Sequence, residues 1–214
     1  MDKKKVLIIL GTAHRMREPG KKSPDKRLKE CVYSREICKA VATELRAKGF
    51  KVEIDYEPLD LPKNMQSLVA KVERSRELAM RVNYVNELCK QNGAKYCLYV
   101  SIHVNAAGSD GKWHSATGWQ VCVSNLASSN SKLLANCLFD AAKDEGLKTR
   151  QHLSSQKYWE QNLYVLNNTR CPAVLTENMF QDNKSDVDFL LSDKGRKSIV
   201  SLHVNGIVDY IDKC

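Results

Sequence analysis

Three short apolar segments of this chain each lead into an ionisable side chain. The segments 6–10, 96–103 and 173–176 run into His14, His103 and Glu177, respectively. Runs of about four to eight apolar residues, rich in β-branched side chains, are typical of buried strands. Because parallel strands deliver their carboxyl ends to one edge of an open α/β sheet, we expect these three side chains to meet there.

Helical patterns alternate with the strand patterns along the chain. Apolar residues recur at helical spacing in five segments, about 37–49, 68–93, 133–146, 185–192 and 195–212. Further strands are predicted at 51–55 and 118–124, with a short strand or turn at 163–166 and polar surface loops at 15–30 and 147–162. This order predicts the α/β class: a single domain over residues 1–214, with a mostly parallel twisted sheet of about six strands and helices on both faces.

Composition limits the classes of partner. A length of 214 residues with 43% apolar and 28% charged residues is ordinary for one globular domain, which we expect to be a monomer. The net charge of +9 suits an anionic partner such as a cell-wall polymer, although many basic proteins have none. The sequence shows no nucleic-acid-binding motif and no apolar stretch of about 18 residues, so neither nucleic acid binding nor membrane insertion is expected.

The cysteines predict buried thiols. Eight cysteines occur without a C-x-x-C pair, and most lie inside apolar helix or strand patterns. This distribution argues against a cysteine zinc site and favours a reducing compartment.

Two histidines and a carboxylate at one sheet edge suggest a zinc hydrolase. Catalytic zinc takes about three protein ligands from His, Asp and Glu, so His14 and His103 need a third. Glu36, at the start of the apolar helix pattern, is the predicted third ligand, with Glu30 and Glu44 as rivals. Glu36 could instead only interact with the helix dipole. Glu177 would remain as a general base, or as a salt-bridged surface residue.

Six blocks of sequence, in order, resemble the zinc-dependent N-acetylmuramoyl-L-alanine amidases of the type 3 family. The blocks are Gly11-x-x-His14, Pro19-Gly20-Lys-Lys-Ser-Pro24, Arg35-Glu36, Arg81-x-x-x-Val-Asn86, Ser101-Ile-His-Val-Asn105 and Pro172-Ala-Val-Leu-Thr-Glu177-Asn-Met-Phe180-x-x-Asn183. Two positions depart from the family pattern. The usual Gly-His-Gly turn is Ala13-His14-Arg15 here, and Met179 stands where the family often has glycine.

The resemblance implies an activity and a set of roles. One catalytic Zn²⁺ would be held by His14, Glu36 and His103. A metal-activated water would cleave the amide between the lactyl group of N-acetylmuramic acid and L-alanine of the peptidoglycan stem, with Glu177 as general base and acid. Peptidoglycan or muropeptide would be the partner. Some regulated members carry an inserted helix that blocks the zinc; the loops here are too short or too polar for one, so an open site is expected.

Several loop and strand-end residues are candidates for binding the substrate, because aromatic faces pack on sugars and cations pair with carboxylates. The predicted substrate-binding residues are Asn105, Trp113, His114, Lys157 and Asn162, with Trp159 as a further candidate. Trp119 is expected to lie in the core, and His152 and His203 are expected to be structural or exposed.

Two other functions remain compatible with the sequence. One is a zinc peptidase acting on the stem peptide, and the other is a catalytically inactive peptidoglycan-binding module. The apolar run 6–10 is too short for a signal peptide. The expected location is therefore cytoplasmic at synthesis, with action on the periplasmic or extracellular wall after export, lysis or removal of a leader.

Overall fold

A six-stranded sheet forms the centre of the computed structural model, which describes residues 3–153 and 155–214. The strands are β1 (Leu7–Thr12), β2 (Lys51–Ile54), β3 (Cys97–Asn105), β4 (Gln120–Ser124), β5 (Trp159–Gln161) and β6 (Ala173–Phe180). Their spatial order is β2-β1-β3-β6-β4-β5. The strands β2, β1, β3 and β6 are mutually parallel, whereas β4 is antiparallel to β6 and parallel to β5. The sheet is therefore mixed but mostly parallel, and the predicted fold class is confirmed.

Helices cover both faces of the sheet. They are α1 (Glu30–Ala47), α2 (Ala70–Asn92), α3 (Ser129–Asp144), α4 (Tyr164–Asn168), α5 (Lys184–Leu191) and α6 (Asp193–Lys213). The larger apolar cluster packs α1, α3, α5 and α6 against one face. The smaller cluster packs α2 and α4 against the other face. A cavity between α2 and α4 leaves this second face incompletely covered near the carboxyl ends of the central strands.

The structure differs from the predicted elements in three segments, of which the first is the start of α1, at Glu30 rather than near residue 37. Residues 163–166 were predicted as a strand or turn, but the chain enters helix α4 at Tyr164. The sixth strand is instead β5, inside the segment predicted as a polar loop. With 3 residues, β5 is too short to show an alternating pattern, and it exists because β4 offers a free edge to pair with.

Core predictions based on residue type are confirmed. Trp119 is fully buried, and its indole Nε1 donates a hydrogen bond of 2.8 Å to Asn178 Oδ1. His203 is also buried, between Thr176 and the Ile199 carbonyl, whereas His152 is exposed beside Trp159. Seven of the cysteines are buried thiols and Cys214 is exposed.

In the part of the chain that the structure describes, no helix has both the length and the apolar character that spanning a bilayer requires.

Candidate metal centre

His103 and Glu177 lie side by side at the carboxyl ends of the two central strands. They are register partners on the parallel strands β3 and β6. Side chains alternate along a strand, and Tyr99 and Leu175 belong to the apolar cluster under α2 and α4. His103 and Glu177 follow those residues at even spacing, so they project onto the same, incompletely covered face.

Helix α1 brings Glu30 to His103. Glu30 is the first residue of the helix, is 1% exposed, and its Oε1 lies 3.0 Å from His103 Nδ1. The same oxygen accepts a hydrogen bond of 3.2 Å from the Val104 main-chain N–H. Strand β1 ends opposite Ile102, so Val104 lies beyond its partner strand and its N–H is free to bond Glu30.

The turn after β1 places His14 against the other oxygen of Glu30. His14 Nε2 lies 3.4 Å from Glu30 Oε2, and the His14 and His103 rings meet edge to face with centroids 5.1 Å apart. Ser34 Oγ accepts from Ala13 N at 2.8 Å and donates to the Ile102 carbonyl at 2.6 Å. Ser34 therefore ties this turn to β3 and holds the two histidines together.

Contrary to the prediction, the structure places Glu30 and not Glu36 beside the two histidines. The Glu36 side chain is 49% exposed and pairs with Arg196 Nη1 at 2.5 Å. It follows Glu30 by about 240° around the helix and about 9 Å along it, so the two carboxylates cannot face the same site. Glu44 is also exposed, farther along the helix.

Charge and burial give the two carboxylates opposite protonation tendencies. Burial opposes ionisation of Glu30, but His14 and His103 outweigh it and hold its pKa well below the usual range. Burial and the neighbouring charge of Glu30 raise the pKa of Glu177 to about 8. Burial also lowers the pKa of His103, although Glu30 opposes that shift. A negative Glu30 thus stands between two imidazoles, and in the metal-free protein burial and that negative charge favour the protonated form of Glu177.

These residues fit a divalent metal ion. His14, Glu30 and His103 each offer one ligand atom, and the three atoms lie within 4.8 Å of one another. Imidazole nitrogens with a carboxylate are suitable donors for a transition metal. Glu30 Oε2 and Glu177 Oε2 are both buried, and neither has a hydrogen-bond partner among residues 3–153 and 155–214. A cation at this position would bind a buried carboxylate oxygen that otherwise has only longer contacts, with His14 Nε2 at 3.4 Å and Lys21 Nζ at 3.6 Å.

A cavity of about 190 Å³ opens beside the two histidines. It lies between α2 and α4, and His14, Ser101 and His103 form part of its lining. Its other walls are mainly apolar, formed by Leu78, Leu163, Val165 and Leu175. The cluster of His14, Glu30 and His103 therefore adjoins a mostly apolar cleft that is large enough for part of an organic substrate.

Four of the predicted substrate-binding residues lie at the end of β3 or in loops. Asn105 ends β3 two residues after His103, and its Oδ1 accepts from Ala106 N. Trp113 is 39% exposed, and His114 pairs with Asp110 in the loop that follows. Asn162 is exposed, directly before Leu163 of the cavity wall.

Lys157 is not positioned for the predicted role. Its Nζ bonds both carboxylate oxygens of Asp140, at 2.6 and 2.7 Å. Asp140 lies on α3, which packs on the face of the sheet opposite the metal group. The pairing with a helix on the other face could not be read from a polar loop sequence.

Sequence reasoning undervalued Glu30 because the helix was predicted to start near residue 37. A signal was present: Glu30, Ser34, Ile37 and Val41 follow the spacing of one helical stripe, and all four are buried.

A cluster of buried charged residues had no signal in the local sequence. Five buried charged residues, Arg15, Glu18, Glu73, Glu77 and Arg81, link the turn after β1 to α2.

Comparison with known proteins identifies relatives over nearly the whole chain. The sequence profile of the family described as N-acetylmuramoyl-L-alanine amidase matches residues 8–209. An endolysin of Bacillus phage SPP1 is 25% identical over 173 residues, which are 81% of this chain and 61% of that protein. The chain thus spans about three-fifths of the length of that curated relative.

Solved structures share the fold. The N-acetylmuramoyl-L-alanine amidase of Clostridium difficile 630 superposes with a TM-score of 0.77 at 22% identity, covering 97% of both chains. The amidase of Mycobacterium smegmatis also gives a TM-score of 0.77, at 16% identity and with 100% of both chains covered.

Proposed function

Because this chain belongs to the N-acetylmuramoyl-L-alanine amidase family, we propose that it hydrolyses the amide between N-acetylmuramic acid and L-alanine in peptidoglycan. The observation that carries the proposal is the convergence of His14, Glu30 and His103 around one point, with Glu177 on the neighbouring strand.

The proposed cofactor is one zinc ion, held by His14, Glu30 and His103. Two imidazoles and one carboxylate form a ligand set found in catalytic zinc sites of hydrolases. When bound, zinc supplies a Lewis acid that polarises the amide carbonyl and lowers the pKa of a water molecule. Glu30 contributes the negative charge that favours a cation, and its hydrogen bond from Val104 fixes its orientation.

Glu177 is the proposed general base and acid. Its Oε2 is buried and has no hydrogen-bond partner in the described chain, so the ionised carboxylate can accept the proton of the attacking water. The raised pKa of this carboxyl group brings it close to neutral pH, where a group can both take and return a proton. The proton then passes from Glu177 to the leaving amine of L-alanine.

The cleft beside the histidines is the proposed substrate groove. Its apolar walls would pack against the uncharged backbone and methyl groups near the scissile amide. Asn105, Trp113, His114 and Asn162 remain proposed substrate contacts outside the lining of the cavity itself. Lys157 is not among the proposed contacts because its ammonium is paired with Asp140.

The test combines zinc analysis with identification of the products released from purified peptidoglycan. The parent protein should contain about one zinc and should free new amino termini on L-alanine. Glu177→Gln should retain zinc and lose about 10²- to 10⁴-fold in turnover, because the proton acceptor is removed while the ligands remain. Glu44→Gln, an exposed change on α1, is the matched control and should behave as the parent.

Other results would point elsewhere. New termini inside the stem peptide would indicate a zinc peptidase. Binding to the wall without any new terminus would indicate an inactive binding module. If Glu177→Gln cleaved peptidoglycan at the parental rate, the proposal that Glu177 is the general base and acid would be wrong.

A further inference from the structure

The main chain at His14 adopts a left-handed conformation that is unusual for a residue with a side chain. Its φ is 44°, and the residue is flanked by Ala13 and Arg15 rather than by glycine. Non-glycine residues in this region persist only where the surrounding structure holds them in place. The contacts of the His14 carbonyl should therefore show what maintains the turn.

Arg35 makes the shorter of the two side-chain contacts with the His14 carbonyl. Its Nη2 donates to the His14 carbonyl at 2.9 Å and to the Pro58 carbonyl at 2.8 Å. Its Nη1 donates to the carbonyls of Ala13 and Cys31, both at 2.8 Å. One guanidinium thus joins the turn at His14, the first turn of α1 and the segment after β2.

The surroundings of Arg35 indicate that geometry, more than charge pairing, explains its position. The residue is 5% exposed, and no carboxylate within the described ranges forms an ion pair with it. Burying a guanidinium without an anion is costly unless its donors are satisfied. The rigid planar fork of arginine can satisfy several carbonyls at once, which the single ammonium of lysine cannot do in the same geometry.

A second guanidinium lies on the same carbonyl but is held differently. Arg81 Nη2 is 3.4 Å from the His14 oxygen. Arg81 is fixed by Asp55 at 2.7 Å and Glu77 at 3.0 Å. Its contact with His14 is the longer one, so Arg35 is the principal donor to this turn.

We propose that Arg35 is a positioning residue of the metal centre. Its guanidinium fixes the left-handed turn and thereby aims the His14 imidazole at Glu30 and His103. The inference rests on the proposed metal site but assigns a residue that does not itself touch the metal. A residue that only stabilised the fold would change the melting temperature and leave the metal affinity of the folded protein unaltered.

The experiment measures zinc affinity by chelator competition, at a temperature where circular dichroism shows each protein to be folded. Arg35→Met should raise the zinc Kd about 10- to 100-fold, the usual effect of removing a group that orients a ligand. The matched control is Arg46→Met. Arg46 also lies on α1 and donates to a main-chain carbonyl, that of Val52 at 2.6 Å, but near the far end of the helix. The Arg46→Met variant should have a zinc Kd within about twofold of the parent value.

Arg35→Lys is the second variant, for use if Arg35→Met does not fold. It keeps the positive charge and loses the fork, so its zinc Kd should still rise at least about tenfold. The visible spectrum of the Co²⁺-substituted protein should also change, because the His14 ligand is displaced.

Three results would overturn the proposal. One is a folded Arg35 variant with the parental zinc Kd and Co²⁺ spectrum. Another is an equal loss of affinity in Arg46→Met. The third is a parent protein that binds no zinc, which would contradict the proposed metal centre itself and so is distinguishable from the first two.

Discussion

Two glutamates on one helix show how strongly position decides the role of a residue. Burial between two histidines raises the pKa of Glu30, but the attraction of His14 and the hydrogen bond with His103 outweigh it and keep that pKa low. Glu36 projects into solvent and forms an ion pair with Arg196. Exposed ion pairs contribute little to stability, so the exposed glutamate is replaceable while the buried one is not.

Exchange of each glutamate for glutamine should separate them. Glu30→Gln should raise the zinc Kd by more than about 100-fold, because loss of a ligand exceeds the effect of losing an orienting group. Glu36→Gln should leave zinc affinity and wall hydrolysis unchanged. Isothermal titration with Zn²⁺ measures both variants. A larger loss of zinc affinity in Glu36→Gln than in Glu30→Gln would contradict the assignment of Glu30 as the ligand.

At the scale of elements, β6 contains an irregularity that shapes the site. His103 pairs with Glu177 and Asn105 with Phe180, so β6 carries one extra residue between these pairs. Met179 absorbs it with a φ of 62°. Asn178 is thereby held inside, where it donates to the His103 carbonyl at 2.8 Å. This bulge lies at the position where the family often has glycine, although the residue here is methionine.

The contact between α3 and α6 depends on one glycine. A Cβ on Gly206 would lie 2.8 Å from Leu138 Cα and 3.1 Å from Leu138 N. Both are main-chain atoms, so they cannot move aside as a flexible side chain could. The two helices therefore approach more closely than any larger residue at position 206 would allow.

Gly206→Ala should consequently destabilise the protein. Alanine is favoured over glycine in a helix by about 1 kcal/mol, but the clash should lower the free energy of unfolding by about 1–3 kcal/mol net. Asn205→Ala, an exposed change on the same helix, is the control and should stay within about 0.5 kcal/mol of the parent. Urea denaturation measures both, and a more stable Gly206→Ala protein would show that the helices can separate without cost.

At the scale of the whole molecule, the site couples protonation to folding. The carboxyl of Glu177 has a pKa of about 8 in the folded, metal-free protein, raised by burial and by the charge of Glu30. In the unfolded chain a glutamate has a pKa of about 4.3. Between these values the folded state holds a proton that the unfolded state has released. The stability gained from this proton is complete at low pH and is lost as the pH rises through 8.

The metal-free parent should therefore lose stability relative to Glu177→Gln between about pH 5 and 8, by at most about 1.4 kcal/mol per pH unit. The glutamine variant cannot titrate at this position, so subtracting its unfolding free energy removes the contributions of other groups. Chemical denaturation at several pH values measures the difference. A difference that is flat or that rises with pH would show that Glu177 is ionised in the folded protein.

Local patterns in the sequence predicted a large part of this structure. Apolar runs located the central strands, and their polar ends identified His14, His103 and Glu177 as neighbours. Helical spacing placed α2, α3, α5 and α6 within a few residues of their bounds. These features depend on whether each segment can bury one face, which is a property of consecutive residues.

Tertiary structure alone decided what depends on residues distant in sequence. Glu30 lies between the histidines because α1 begins beside the end of β3, beyond the point where β1 stops pairing with it. Strand β5 formed because β4 offered an edge, and Lys157 was removed from the site by Asp140 on another helix. The left-handed turn at His14 is held by Arg35, 21 residues away. The sequence by itself thus determined which side chains reach the carboxyl edge of the sheet, because that follows from local periodicity. Packing between elements decided which carboxylate completes the group and how it is held, because those contacts have no local signature.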